Sequence, residues 1–148
     1  VILKEMGEVF DCVKQAVSKA TSAEEKFKAF TLTKIRAVQK RANLYKIVTG
    51  EQKDTMRCIK HLNTEYNTHE TQLIKEILSF GIANGEFAKH IKKELDILPS
   101  VIASSLRGLE RDIFTTTKYA KFESRIESIL GIMMRGLKVN RSGEIILT

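Results

Sequence analysis

Residues 73–87 read LIKEILSFGIANGEF. Leu73, Ile74, Ile77, Leu78 and Phe80 recur at three- and four-residue steps, which draws one apolar stripe along an α-helix. Gly81 and Gly85 follow at once and close that helix in a turn. Working upstream, Met56, Ile59, Leu62 and Tyr66 form a second stripe, so the helix starts near Asp54 and runs to Phe80. Between the stripes, residues 63–72 (NTEYNTHETQ) are polar and compete with helix backbone hydrogen bonds, so a break or kink is expected there.

The same reading extends to both ends. Residues 2–20 carry Leu3, Met6, Phe10, Val13 and Val17 on one helical face. Thr21 or Ser22 then offers an N-cap, with Glu24 and Glu25 facing the positive end of a second helix. That helix shows Phe27, Phe30, Val38, Ala42 and Tyr45 and ends before Gly50. Downstream, a short basic helical piece is expected over Ala88–Leu95. Asp96 caps the next helix, Pro99 is tolerated in its first turn, and Leu98, Ile102, Leu106, Leu109 and Ile113 give its inner face. A turn at Thr115–Lys118 leads into a last helix from Tyr119 to Leu137. Only Gly143–Thr148 hints at an extended strand, and it reads equally well as a tail. The expectation is all-α with about six helices: a helical domain over residues 1–137 and a C-terminal tail over 138–148.

At 148 residues the chain suits one domain that buries on the order of 70% of its unfolded surface. With 29% charged residues and a mean hydropathy of −0.17 it reads as a folded soluble chain, not a disordered one. Two cysteines make no disulfide framework, and no apolar run approaches the roughly 20 residues that cross a bilayer. A cytoplasmic location and no membrane partner are therefore expected.

Chemistry-bearing motifs are sparse. There is no GxSxG, GxGxxG or GxxxxGK[ST] sequence, and spacing nominates no buried carboxylate pair. No catalytic residue and no cofactor are expected. Cys12, beside Val13 on an amphipathic helix, reads as a structural thiol. Cys58, His61, Glu65 and His69 share a helical face and could contribute metal ligands in pairs. They span about 16 Å of helix, so all four cannot meet one ion, and no metal site is assigned.

Charge is distributed unevenly. Lys26, Lys28, Lys34, Arg36, Lys40, Arg41 and Lys46 stand in a stretch without acidic residues and carry +7, the net charge of the whole chain. Lys26, Arg36 and Lys40 point away from the apolar face and are expected in solvent. Lys34 lies between Phe27 and Val38 on the inward face. Its ammonium either snorkels outward or sits in a cavity that an anionic ligand would complete.

The last helix is apolar over about 200° of arc, where a surface helix needs about 100°. The helix before it has a small-residue flank of Val101, Ser104, Gly108 and Thr115. Two antiparallel helices meeting their symmetry mates would form a four-helix dimer interface. The expected contact residues are Val101, Ser105, Gly108, Phe122, Ile126, Ile129 and Met133. A larger intramolecular core is the other way to cover the same arc.

The order of helices, with Leu73–Phe87 and Val101–Leu109 (VIASSLRGL), resembles the C-terminal regulatory domain of TetR-family bacterial transcription regulators. Asn43–Tyr45 (NLY) also resembles the segment that often joins two regulatory helices there. The resemblance covers Ile2 to Leu137 and implies a homodimer that binds a small-molecule effector. It also implies operator DNA bound through an N-terminal helix-turn-helix domain that these 148 residues do not contain, in keeping with a chain beginning at Val1. The pocket it implies lies among inward residues of three helices: Phe30, Lys34, Val38, Ile59, Tyr66, Leu73, Ile77 and Leu106. A different class of function also fits the residues. It is a helical interaction module that applies its basic face to an acidic partner and has no ligand pocket.

Overall fold

The computed structural model describes residues 2–41, 56–115 and 122–139, with side chains for 4–41, 66–113 and 125–139. The fold is all-α. Among the described residues the helices are α1 (Ile2–Lys19), α2 (Ala23–Gln39), α3 (Met56–Ala83), α4 (Leu98–Thr115) and α5 (Phe122–Arg135), with a 3₁₀ segment at Lys89–Glu94 between α3 and α4. No strand occurs among the described residues, and no described helix is long and apolar enough to cross a membrane.

α2 and α3 form the centre. α1 and α5 pack on α2, while α4 packs on α3. The expected stripes supply the core: Val13 and Val17 from α1, Phe27, Phe30 and Val38 from α2, Ile74, Ile77 and Leu78 from α3, Leu106 from α4, and Leu130 and Met134 from α5. Phe10, on the same stripe of α1, packs at the margin of that core.

The N-terminus of α2 shows how sequence and tertiary structure share one task. Four N–H groups at a helix start have no intrahelical partner. Ser22 Oγ accepts from the Glu25 N–H at 3.1 Å, as the capping pattern requires. The Ala23 and Glu24 N–H groups donate instead to the two carboxylate oxygens of Glu86, at 2.8 and 2.9 Å. Placing that anion at the positive helix end adds an electrostatic gain. The Glu25 carboxylate accepts from the Thr21 hydroxyl at 2.9 Å and from the Thr21 N–H at 3.3 Å, and these hydrogen bonds hold its pKa below the usual value.

Glu86 is positioned by the turn that ends α3. Gly85 adopts φ +82°, a conformation that favours glycine, and the Glu86 N–H donates to Asn84 Oδ1 at 2.9 Å. Phe87 then folds back, its N–H donating to Gly81 O at 2.9 Å and its ring packing against Phe27. A Cβ on Gly81 would clash with the Cδ2–Cε2 edge of the Phe87 ring. Gly81→Ala is therefore expected to destabilise the fold by about 1–3 kcal/mol, the usual cost of overpacking. A urea midpoint unchanged by the substitution would show that the ring moves aside freely. Past α5, the chain returns to this turn: the Ala88 N–H donates to Leu137 O at 2.9 Å, and Phe87 and Lys138 form an isolated antiparallel bridge.

Several boundaries differ from expectation. α2 ends at Gln39, well before Gly50, where Arg41 folds back, donating to Ala37 O at 2.8 Å and pairing with Glu8 at 3.1 Å. The guanidinium thereby satisfies a carbonyl at the helix end. α3 runs unbroken through residues 63–72, because part of that polar stretch is buried against other helices. The basic piece after Phe87 is a 3₁₀ segment. Lys26 is not left in solvent: its ammonium donates to Val17 O at 2.9 Å and lies 4.9 Å from the Phe80 ring centre, tying α1, α2 and α3 together. Ala42, the NLY segment, Tyr45, the residue 116–118 turn and Gly143–Thr148 lie outside the described residues.

Candidate functional site

Three charged side chains occupy inward positions on three helices. Lys34 follows Phe27 and Phe30 on the inner face of α2. Glu70 stands one turn beyond Tyr66 and one turn before Ile74 on α3. Glu110 stands one turn beyond Leu106 on α4. Packing of α2 on α3 and of α3 on α4 brings them together. Lys34 Nζ lies 2.7 Å from Glu70 Oε2 and 2.8 Å from Glu110 Oε2. The three residues are 7%, 1% and 6% exposed, so the ion pairs lie in the core, screened from solvent.

The surroundings are aromatic on one side and basic on another. The Tyr66 ring centre lies 5.6 Å from Lys34 Nζ. Phe10 of α1 meets Tyr66 edge to face at 6.1 Å and His69 at 5.6 Å. Arg107 approaches from α4, its Nη1 3.7 Å from Glu70 Oε1. That is within ion-pair range but beyond a hydrogen bond.

Burial and charge act in opposite directions on these groups. Burial pushes Glu110 up to about 7; the Glu70 charge adds to that, while Lys34 and Arg107 restrain it. Burial alone would lower Lys34, but the two carboxylates outweigh it and hold the ammonium above its ordinary value. Burial and the neighbouring carboxylates raise the Tyr66 phenol despite the nearby ammonium, so it stays protonated at neutral pH. Lys34 makes close contact with both carboxyl groups, and Arg107 brings a second positive charge at longer range.

Of the residues expected to line an effector pocket, Phe30, Val38, Leu73, Ile77 and Leu106 are buried in the continuous apolar core. Tyr66 packs at its edge, and Ile59 lies outside the described side chains. Lys34 neither snorkels out nor lacks an anionic partner, since this chain supplies two carboxylates to it. A surface depression of about 520 Å³ opens between α3 and α4, lined by Thr71, Lys75, Asp96, Ser100 and Arg107 among others. A second, beside α5, is lined by Glu24, Ile132 and Lys138 among others. None of the expected effector residues lines either depression.

Among the expected interface residues, Val101 is 52% exposed and Met133 37%, with Ser105 and Gly108 also exposed. Ile129 is half-buried, Ile126 belongs to the core, and the Phe122 side chain lies outside those described. Ile132, on the wide apolar arc of the last helix, is 63% exposed. Although α4 and α5 were expected as neighbours, α4 packs chiefly on α3 and α5 on α2. Cys12 is free and exposed. Of the Cys58, His61, Glu65 and His69 stripe, only the His69 side chain is described; it is exposed and packs edge-on to Phe10.

Sequence reasoning missed Glu70 and Glu110, which come together only in the fold. A signal was present nonetheless: each interrupts an apolar stripe of its helix, as Lys34 does on α2. No family model, curated protein or solved structure matches the chain.

Proposed function

We propose that this chain is the regulatory half of a dimeric, small-molecule-responsive transcription repressor of the TetR type, cytoplasmic and without catalytic activity. The observation that carries the reading is the buried ionic centre joining α2, α3 and α4 through Lys34, Glu70 and Glu110. Ion pairs in a core are often no more stabilising than apolar residues of the same volume. A cluster with a titration shifted by burial is a common mark of a functional site. These are also the helices on which the family resemblance puts the effector.

A route to α1 is built in, because Phe10 packs against Tyr66 at the edge of the centre. An effector that rearranges Tyr66 would shift the preferred tilt of α1. In the proposed mechanism α1 leads to the DNA reader, so its tilt sets the distance between two recognition helices. Operator half-sites one helical turn apart, about 34–36 Å, are then matched or mismatched. Effector and operator must oppose each other by the same coupling free energy, typically about 1–3 kcal/mol.

The proposed dimer uses the exposed apolar residues Val101, Ile132 and Met133. Light scattering at micromolar concentration should give twice the 16.8 kDa chain mass, and Met133→Glu should reduce it to one. A wild-type chain of single mass would overturn this reading. It would favour the interaction-module alternative, which also draws support from the close packing of Phe30, Ile77 and Leu106 into one core.

A further inference from the structure

The ionic centre carries unused hydrogen-bonding capacity: among the described residues, carboxylate oxygens lack a donor, and Arg107 Nη1 lacks an acceptor within hydrogen-bond range. Glu70 Oε1 and Glu110 Oε1 are buried and accept no hydrogen bond from any described residue. Their Oε2 atoms both contact the single Lys34 ammonium, so the two carboxylates lie within the span of one nitrogen. Arg107 supplies the second positive charge only loosely: it stands 3.7 Å from Glu70 Oε1, and its side chain is 30% exposed. The same Arg107 lines the depression of about 520 Å³ between α3 and α4. It therefore stands between that depression and Glu70 Oε1.

We propose that the effector is a small organic cation carrying an amine, which enters from the α3–α4 depression, displaces Arg107 from Glu70 and donates to the free oxygens of Glu70 and Glu110. This deepens the effector reading above and rests on it. Tyr66 supplies an aromatic wall, and Lys34 already shows an ammonium lying 5.6 Å from its ring centre. An anionic ligand would bring further negative charge against two buried carboxyl groups, and a lone hydroxyl has one proton to donate where two oxygens lack a donor. Two carboxylates are too few for Ca²⁺, which takes six to eight oxygens.

The experiment compares three ring compounds of similar size: benzylamine, benzyl alcohol and phenylacetate. Each is titrated into the wild-type chain by calorimetry, with light scattering on the same samples. Benzylamine should bind, and the other two should not. Glu70→Gln and Glu110→Gln should each weaken it about ten- to hundredfold, the range that hydrogen bonds to charged groups command. Arg107→Ala should tighten it about two- to fivefold, the worth of a partly exposed ion pair. That gain is the readout which loss of structure cannot imitate, and it keeps the proposal testable if either glutamine variant fails to fold.

Equal or tighter binding of benzyl alcohol or phenylacetate overturns the cation assignment while leaving an effector site in place. No binding of any compound to a dimeric chain overturns the cation assignment alone. No binding to a monomeric chain overturns it together with the regulatory reading.

Discussion

Lys34→Met is expected to lower the unfolding free energy by about 3–5 kcal/mol, the cost of leaving a buried ion pair without one partner. Two carboxylates would then face each other in the core with only Arg107, at 3.7 Å from one of them, for compensation. Methionine nearly matches the lysine stem in volume, so little of the loss would come from a cavity. Equilibrium urea unfolding measures the effect. The companion triple variant, Lys34→Met with Glu70→Leu and Glu110→Met, should recover most of the loss, because an apolar replacement of a whole buried cluster is often neutral or stabilising. A loss under about 1 kcal/mol for Lys34→Met, the scale of an exposed pair, would mean that the ammonium reaches water.

The second large effect is a pH dependence opposite to that of most carboxylates. Glu110 titrates near 7 in the folded chain against an ordinary value of 4.5. Between those values the native state keeps a proton that the unfolded chain has already released. Its contribution to stability is therefore complete below the unfolded value and is lost as pH climbs through about 7. At about 1.4 kcal/mol per pKa unit the loss approaches roughly 3 kcal/mol. The groups facing Glu110 are Lys34 from α2, Tyr66 and Glu70 from α3, and Arg107 on its own helix. Lys34 stays charged and Tyr66 neutral across that window, since both titrate above their ordinary values. Urea midpoints recorded from pH 5 to 8 should fall, and Glu110→Gln should flatten the profile. A wild-type midpoint that rises over the same range would contradict the account of a carboxyl raised by burial.

The stripes were legible because a helix exposes its period to any reader. Met6, Val13 and Val17 are buried as spaced, although the reading passed over Val9, which is equally buried on the same face. Ser22 was legible as a cap because its partner is three residues away. What escaped was every feature whose partner lies on another element. The polar run at 63–72 stays helical although its local preferences oppose it, because Glu70 finds Lys34 across the helix interface. Arg41 ends α2 by reaching Ala37 and Glu8, and the Glu8 contact has no local signature. The ionic centre combines both cases, being made of three stripe interruptions that are individually visible and jointly meaningless until α2, α3 and α4 are packed.

The junction around Glu86 can also be considered as polymer statistics. Its hydrogen bonds to Ala23 and Glu24 close loops of 63 and 62 residues, and the Lys138–Glu24 contact closes one of 114. Each doubling of loop length adds only about 0.6 kcal/mol of closure entropy. Lys138 thus joins a knot of contacts in the middle of the sequence for little more than the first closure already cost. α5 is anchored at its inner face by α2 and at its exit by Glu86 and Ala88, all remote from it in sequence. The strength of that anchor is set jointly by the turn after α3 and by the apolar face of α5, Ile126, Leu130 and Met134.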